Sequence, residues 1–371
     1  MRGLRFLTRG IEVRPAANLG EKEPDLVKRI VICLDGTSNE PETGSTNAVR
    51  AFEIAAKTTD QIVYYDPGVG TMGARSATTR LGKAVTRMTG LALGHGVKDN
   101  VEEAYRFLMH EYAAGDHIYL FGFSRGAYTA RALAGMLRTV GLLRPEAENL
   151  IPYAMKLYAR AGRGDADEQA NDEFWRLRTN FNESFGNPEF PNRFAPQIHF
   201  LGIWDTVKFV GWLNWRAQLQ QARWPFTRNV ANVVHGRHAL ALDEKRRYYG
   251  AYRFDPDEVR KERRDLREVW FTGVHSDVGG TYPDDHRLAD IALHWMLEEA
   301  RALDLEVDAK AYRKHLGIEP GEPLPEDYAL GRVHPNGWPW FLLGAGWRRR
   351  RLLEDDEIHP SVETRRRLLE S

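Results

Sequence analysis

The sequence predicts an α/β protein whose central sheet is mostly parallel and is covered by helices on both faces. Two observations predict this class. Continuously apolar runs recur along the chain and end in glycine-rich or acidic turns, and segments with the helical spacing of apolar residues lie between them. Such sheets bind ligands where the carboxyl ends of the strands meet the loops. The polar and glycine-rich residues of this chain fall at those ends.

The predicted elements follow from these patterns. The apolar runs predicted to be strands are residues 29–34, 61–65, 118–121, 198–204 and 269–274. Residues 96–114 have the apolar spacing of a helix, and so do the residues from Ala130 to Val140. Gly141 comes directly after this second helix and is suited to be its C-cap.

The domain organisation is predicted to be a single core with additions. Residues 1–28 are expected to form an N-terminal arm, residues 29–300 the α/β core, and residues 301–371 a C-terminal extension packed on it. Two long stretches, 142–196 and 207–265, show no clear strand. They are too long for plain connections, so we expect helical cap insertions over the active edge of the sheet.

Composition excludes several classes of function. The 371 residues carry 52 basic and 52 acidic side chains, so no overall field attracts nucleic acid. The single cysteine, Cys33, excludes an intramolecular disulfide framework and any multi-cysteine metal site. No run approaches the roughly 18 apolar residues of a transmembrane helix, and the N-terminal apolar stretch is too short for a signal peptide. We therefore expect a soluble, cytoplasmic protein without a nucleic-acid partner; the alternative is secretion that needs no cleavable signal.

Residues 122–126 read Gly-Phe-Ser-Arg-Gly and match the motif G-x-S-x-G. The match lies between an apolar strand and an amphipathic helix, which is the context of the nucleophile elbow in the α/β-hydrolase fold. There a sharp turn lifts the serine hydroxyl above the sheet, and the helix N-terminus favours developing negative charge. The alternative is a tight turn with a capping serine. We predict that Ser124 is a nucleophile.

A serine nucleophile needs a base and an orienting acid, which follow it in the order acid, then histidine, in α/β-hydrolases. Asp205 and His275 have this order, and each comes directly after a predicted strand. Only His275 combines such a strand with a following glycine-rich turn. Asp35, Asp66 and Asp277 compete with Asp205 for the acid. The competing histidines are His95, His110, His199, His235 and His238.

An oxyanion hole must supply N–H donors for the tetrahedral oxygen. The backbone N–H of Arg125, directly after the serine, is expected to be one donor. The other is expected from the turn after the first strand, where Gly36 and Thr37 remain equal candidates. Asp35 is expected to support this turn, and Asp277 the loop of His275.

Several blocks of the sequence together resemble a known family. In chain order they are LDGTSN, YYDPGVGT, GFSRGAYTARALAGML, GIWDTV, HALALDEKRR, FTGVHSDVGGTY and IHPSVETR. They are similar to the DUF2235 family of α/β-hydrolases, which includes the catalytic domain of the type VI secretion phospholipase effectors called Tle1. The resemblance implies that Ser124, Asp205 and His275 form a triad that hydrolyses carboxylic esters through an acyl-enzyme. Effector members carry a large membrane-binding module, which we expect this chain to lack.

The sequence therefore predicts a serine hydrolase of the esterase, lipase or phospholipase type, acting on an ester or lipid substrate. The alternatives are an interaction module on the same scaffold and a metal-dependent phosphoesterase. Residues 68–73 match G-x-G-x-x-G, but no amphipathic helix follows and no acidic residue lies where a ribose needs one. The DGT at residues 35–37 has Cys33 where an aspartyl phosphatase needs its nucleophilic aspartate.

No cofactor and no metal are predicted, because the acidic residues near these turns lack the fixed spacing of a metal motif. These residues, with one histidine, are Asp35, Asp66, His275, Asp277, Asp284 and Asp285.

Aromatic and basic clusters bear on the substrate. Trp212, Trp215, Trp224 and Phe226 predict either an apolar lid or acyl-binding wall, or the packed core of a small cap helix. Basic clusters at residues 348–351 and 365–367 are separated by acidic residues 354–357. Since a solvated face of mixed charge explains this pattern, we expect at most peripheral contact with a membrane.

Overall fold

The computed structural model describes residues 27–36, 45–68, 93–161, 168–188, 196–207, 224–261, 264–336 and 348–371. Within these ranges the strands are β1 (Arg29–Leu34), β2 (Gln61–Asp66), β3 (His117–Phe123), β4 (Ile198–Trp204), β5 (Val233–Ala241), β6 (Asp265–Phe271) and β7 (Glu357–Ile358). The α-helices are α1 (Asn47–Ile54), α2 (Leu93–Glu111), α3 (Arg125–Val140), α4 (Ile151–Arg160), α5 (Glu168–Phe185), α6 (Pro256–Val259), α7 (His275–Gly279), α8 (Arg287–Arg301), α9 (Ala309–Leu316) and α10 (Pro360–Glu370). Short 3-10 segments are Pro145–Leu150, Arg247–Tyr249 and Glu326–Leu330.

The described strands form one sheet in the order β2-β1-β3-β4-β5-β6-β7. Every paired neighbour in it is parallel. The first described strand, β1, lies inside the sheet; the next, β2, lies at the end of this order, and β3 lies on the other side of β1. The order therefore reverses between β1 and β3, and such a reversal opens a crevice at the carboxyl ends of the two strands. The predicted α/β class is confirmed.

Side chains that alternate along β1 face two separate apolar cores. Ile30, Ile32 and Leu34 pack in a cluster with α2, α3 and α4. Val31 and Cys33 pack in a second cluster with α1 and α8. All five side chains are fully buried. Parallel strands covered on both faces are continuously apolar, which is why the runs at 29–34 and 198–204 predicted β1 and β4 with their observed bounds.

Capping residues fix where the helices begin and end. Thr46 accepts a hydrogen bond from the Val49 N–H at 3.2 Å and thereby starts α1. Gly141 ends α3 with a φ of 75° and donates its N–H to the Leu137 carbonyl at 2.9 Å. This positive φ favours glycine, so the predicted C-cap is confirmed.

The prediction that residues 207–265 contain no strand is wrong, because β5 lies inside this stretch and pairs with both β4 and β6. The segment VVHGRHALA contains two histidines and an arginine, which obscured its strand character. Arg237 and His238 are buried against acidic partners. Arg237 contacts Glu299 at 2.6 Å, and His238 contacts Glu268 at 2.9 Å. The stretch is therefore not wholly a cap insertion.

The other stretch, 142–196, contains helices as expected, and one of them, α5, packs away from Ser124. On α5, Asn182 donates to the Val140 carbonyl at 2.8 Å, and Arg178 donates to that of Thr139. Both carbonyls belong to the last turn of α3, roughly 20 Å along the helix from its first residue. These contacts place α5 at the end of α3 that is distant from Ser124.

Residues beyond 300 add to both sides of the core. Arg50 of α1 donates to the His315 carbonyl of α9 at 2.8 Å. The strand β7 extends the sheet beside β6, with Trp270 opposite Ile358. Among the helices in the described ranges, none combines the length and hydropathy that crossing a membrane requires.

Candidate active site

Ser124 lies in the sharp turn between β3 and α3, with φ 59° and ψ −116°. Its backbone N–H donates to the Trp204 carbonyl at 3.0 Å, which fixes the turn against the end of β4. The two glycines of the motif are needed for close approach. A Cβ on Gly126 would lie 2.1 Å from the Leu34 carbonyl oxygen, and one on Gly122 would lie 2.7 Å from the Gly126 oxygen. The turn therefore sits directly on the end of β1.

His275 is the first residue of α7, just past β6, and its two ring nitrogens contact two of the predicted site residues. Nε2 lies 2.9 Å from the Ser124 hydroxyl oxygen. Nδ1 lies 2.6 Å from Oδ2 of Asp205. The structure thus brings the three residues into one hydrogen-bonded chain across β3, β4 and β6. In such a chain the imidazole can take the hydroxyl proton while the carboxylate fixes its tautomer.

Asp205 follows β4 directly and is completely buried. Its Oδ1 accepts a hydrogen bond from the Ala241 N–H at the end of β5, at 3.0 Å. Burial by itself would raise the pKa of this carboxyl. The charge of Arg350 and the hydrogen bond to His275 outweigh burial, and the pKa falls well below its usual value. The carboxylate is therefore ionised at neutral pH.

Sequence reasoning missed Arg350. Its Nη2 donates to Oδ2 of Asp205 at 2.9 Å, and its Nη1 contacts Oδ1. It lies 145 positions along the chain from Asp205, inside a basic run that was interpreted as a solvated face. Nothing in that run distinguishes Arg350 from its neighbours, so only the fold could reveal this contact.

The surroundings of His275 are mostly aromatic. The Phe123 ring lies 4.7 Å from the imidazole, and the Tyr249 ring lies 5.0 Å from it, edge to face. The backbone N–H of His275 donates to Glu244 at 3.1 Å. Burial lowers the pKa of His275, and the hydrogen bond and charge of Asp205 offset this only in part. The imidazole is therefore neutral at pH 7, as a base must be.

The three residues expected to supply oxyanion donors differ in what the structure shows of their N–H groups. Arg125 is the first residue of α3, so its backbone N–H lies at the helix N-terminus next to Ser124. The Gly36 N–H donates to the Asp35 carboxylate at 2.6 Å. Thr37 lies outside the described residues.

The competing carboxylates have other partners. Asp35 accepts from the Tyr65 hydroxyl at 3.0 Å and from Thr46. Asp277 accepts from the Val274 N–H at 2.9 Å, within the loop that carries His275. Its other oxygen lies 2.5 Å from Nδ1 of His334. Asp277 thus contacts the loop of His275 that it is expected to support, and Asp35 joins its own turn, through the Gly36 N–H, to Tyr65 and Thr46.

The aromatic segment after Asp205 is only partly described, since Trp212 and Trp215 lie outside the described residues. The Trp224 ring stacks on Tyr158 of α4 at 5.2 Å. The Arg138 guanidinium lies over the Phe226 ring at 4.3 Å, near the end of α3 that is distant from Ser124. Trp224 and Phe226 therefore pack between helices. For these two residues the contacts are those of the packed-core alternative, and the lid or acyl-wall alternative stays a prediction.

Among the described residues, no group of three or more histidine, cysteine, aspartate or glutamate side chains is arranged to hold a metal ion. The acidic side chains that were considered as metal ligands are held instead by hydrogen-bond donors. Arg287 contacts Asp285 at 2.6 Å, and Arg332 contacts Asp284 at 3.0 Å.

Solved structures and a curated relative resemble parts of this chain. The uncharacterized protein YEL023C of Saccharomyces cerevisiae is 32% identical over 236 residues, which make up 62% of this chain and 33% of the yeast protein. This chain thus spans about a third of the length of that relative. An uncharacterized protein from Pseudomonas aeruginosa has a crystal structure that is 19% identical, with a TM-score of 0.40 over 77% of this chain and 47% of that one.

The Tle1 effector, bound to the VgrG spike from the type 6 secretion system, is 18% identical with a TM-score of 0.37, over 69% of this chain and 51% of that one. The model of the T6SS phospholipase effector Tle1-like catalytic domain matches residues 28–299, which is well over half of the chain. The chain therefore belongs to the family of Tle1-like phospholipase effector catalytic domains.

Proposed function

We propose that this protein is a serine hydrolase that cleaves carboxylic esters, with Ser124 as nucleophile, His275 as general base and Asp205 as orienting acid. One observation carries the proposal. The Ser124 hydroxyl, both nitrogens of His275 and the Asp205 carboxylate form a continuous chain with steps of 2.9 and 2.6 Å. Its Ser124 end lies beside the reversal point of the sheet between β1 and β3, where α/β proteins bind their ligands.

In the first half of the proposed reaction, Oγ of Ser124 attacks the ester carbonyl while Nε2 of His275 takes the hydroxyl proton. The tetrahedral intermediate then collapses, His275 returns the proton to the departing alcohol, and an acyl-serine ester remains. In the second half His275 takes a proton from water, whose oxygen attacks the acyl-serine carbonyl. The second tetrahedral intermediate then collapses, the acyl–Oγ bond breaks, His275 returns the proton to Oγ of Ser124, and the carboxylic acid leaves. Asp205 stays ionised throughout and stabilises the imidazolium.

The oxyanion hole is the less complete part of the proposal. The Arg125 N–H is proposed as the first donor, because it belongs to the residue after the nucleophile at a helix N-terminus. The second donor is proposed to come from Gly36 or Thr37. The Gly36 N–H donates a hydrogen bond to the Asp35 carboxylate, with 2.6 Å between the nitrogen and the oxygen. If Gly36 is the donor, this hydrogen bond must break before the N–H can bind the substrate oxygen.

For the substrate we propose the acyl esters of phospholipids. The support is the description of the family, which names phospholipase effectors. The aromatic rings of Phe123 and Tyr249 beside His275 also give the reacting centre apolar walls, and apolar walls suit an acyl chain.

The test is hydrolysis of p-nitrophenyl esters from acetate to palmitate, together with release of fatty acid from phospholipid vesicles. We expect Ser124→Ala to lower kcat about 10⁴-fold or more, because it removes the only atom that forms the acyl bond. Ser184→Ala, which makes the same change at an exposed position on α5, serves as the control and should match the parent. Hydrolysis at the parent rate by Ser124→Ala would refute the nucleophile. A parent protein inactive on every ester would instead favour the interaction module.

A further inference from the structure

We infer that Arg350 is a positioning residue of this active site, supplied by a segment beyond the part of the chain that the catalytic-domain model matches. That match ends at residue 299, whereas Arg350 contacts both oxygens of Asp205. The inference rests on the proposed function, because it concerns how Asp205 serves His275.

The guanidinium joins the acid to two neighbouring backbone segments. Besides Asp205, Nη1 donates to the Ala241 carbonyl at 2.9 Å, at the end of β5. Nε donates to the Tyr249 carbonyl at 3.1 Å. The ring of Tyr249 lies edge to face on His275. Arg350 therefore fixes the position of the Asp205 carboxylate and, through the Tyr249 backbone, the position of the aromatic ring that packs on the imidazole.

The segment that carries Arg350 is fixed on both sides of it. Before it, the Arg348 N–H donates to the Lys245 carbonyl at 2.7 Å. After it, Asp356 pairs with Arg253 at 2.6 Å, and β7 pairs with β6 through Ile358. The position of the guanidinium is therefore determined by the sheet, and the site includes residues well outside the matched catalytic domain.

Burial explains why an arginine is needed here. Asp205 is 0% exposed, and a buried carboxylate without a counter-charge takes up a proton. A protonated acid would not stabilise the imidazolium that forms when Ser124 attacks. The planar fork of arginine binds both carboxylate oxygens and fixes the plane of the group. This orientation directs Oδ2 at Nδ1 of His275.

The experiment compares Arg350→Met and Arg350→Lys with the parent, using Arg349→Met and Arg351→Met as controls at exposed positions of the same run. We expect Arg350→Met to lower kcat about 100-fold, with KM within about threefold, because the acid loses its orientation while the substrate surfaces remain. Arg350→Lys should recover part of kcat, since it restores the charge without the fork. The two controls should match the parent.

The pH profile separates positioning from a purely structural ion pair. The titratable and charged groups near His275 are Asp205, Glu244, Arg246 and Tyr249, and those near Asp205 are His275, Arg350, His238 and Tyr249. Removing the Arg350 cation favours proton uptake by the coupled pair of Asp205 and His275, whichever of the two binds the proton, and neither protonated form of the pair supports the proposed proton transfer from Ser124. We therefore expect the acid limb of kcat/KM to move to higher pH in Arg350→Met. In Arg350→Lys it should lie between the limbs of the parent and of Arg350→Met.

The outcomes are distinguishable. A folded Arg350→Met with the kcat and pH profile of a hydrolytic parent would overturn the inference alone. A parent with no ester hydrolysis would overturn the proposed function, and the inference with it. If Arg350→Met does not fold, Arg350→Lys decides. Parent-like kcat and acid limb in Arg350→Lys would show a structural ion pair and overturn the inference, whereas a lower kcat with unchanged KM and a shifted limb would support it.

Discussion

Two buried pairs of a carboxylate and a histidine lie near each other at the carboxyl side of the sheet. In one, Asp205 contacts His275 at 2.6 Å, and in the other, Glu268 contacts His238 at 2.9 Å. Both acids are also held by arginine, Asp205 by Arg350 and Glu268 by Arg253. Judged by the acid, the histidine and the counter-charge alone, the two clusters are equivalent.

They differ in the partner of the second ring nitrogen. Nε2 of His275 contacts the Ser124 hydroxyl, which has a proton to give up. Nε2 of His238 accepts the backbone N–H of Thr206 at 3.2 Å, so it cannot take a proton without breaking that bond. His238 is also 0% exposed. The difference teaches that the remaining nitrogen and its access to substrate separate a reactive pair from one that stabilises the fold.

The largest expected effect is the contrast between His275→Gln and His238→Gln. We expect His275→Gln to lower kcat about 10⁴-fold, because glutamine cannot take the Ser124 proton. His238→Gln should change kcat less than about tenfold and lower the free energy of unfolding by about 1–3 kcal/mol, since it disturbs a buried hydrogen-bonded pair. Ester hydrolysis and urea unfolding of both variants measure this contrast. Equal losses of kcat would abolish the distinction between the pairs.

The second effect is a pH dependence with different readouts for the two pairs. Burial lowers the pKa of His275 below 6.5, so the acid limb of kcat/KM should have its midpoint below that value. Burial also lowers the pKa of His238. The unfolded chain therefore binds this proton first, and the free energy of unfolding should start to fall as the pH drops below 6.5.

The acid of the second pair extends this loss of stability. Burial would raise the pKa of Glu268, but its contacts with His238 and Arg253 outweigh burial and lower the pKa from 4.5 to about 2. The contribution of Glu268 to the free energy of unfolding is complete above pH 4.5 and is lost as the pH falls toward 2. Urea unfolding across this range, with His238→Gln as the matched variant, measures both contributions. A variant whose stability loss below pH 6.5 equals that of the parent would contradict the assignment to His238.

The smallest expected effect tests whether the side chain of Thr206 couples the two pairs. Its hydroxyl accepts from Nε of Arg131 at 3.2 Å, while its backbone N–H binds His238. Thr206→Val should lower the free energy of unfolding by about 1–2 kcal/mol, because a buried donor loses its acceptor. It should leave kcat within about threefold of the parent, since the backbone next to Asp205 is unchanged. A tenfold loss of kcat would instead show that the pairs are coupled through this hydroxyl.

Much of the fold could be predicted because its signals are local. Strands buried on both faces are mostly apolar, so the apolar runs of the sequence could predict the bounds of β1 and β4. The turn at Ser124 needs glycine on both sides, and this steric need leaves a motif. The predicted neighbours Ser124, Asp205 and His275 are in hydrogen-bond contact, while their catalytic roles remain a proposal.

The parts that could not be predicted depend on partners distant in sequence. The strand β5 looked polar because His235, Arg237 and His238 carry charge or hydrogen-bonding groups. Each is matched by an acidic side chain from another element, and no window along the chain contains both partners. Arg350 is the same case at the active site, since an arginine in a basic run looks solvated until the fold buries it beside Asp205.

The position of Arg350 in the chain has a consequence for biosynthesis. A ribosome that has reached residue 300 has already made Ser124, Asp205 and His275, but not the arginine that neutralises the acid or the strand β7 that anchors it. The pairing of β7 with β6 joins segments that are distant in sequence, and such contacts are among the slower steps of folding. If the three residues have the proposed roles, the nascent chain would hold its nucleophile and base beside an acid that is uncharged and poorly oriented. Hydrolytic competence would then depend on β7, which is the furthest along the chain of the described strands.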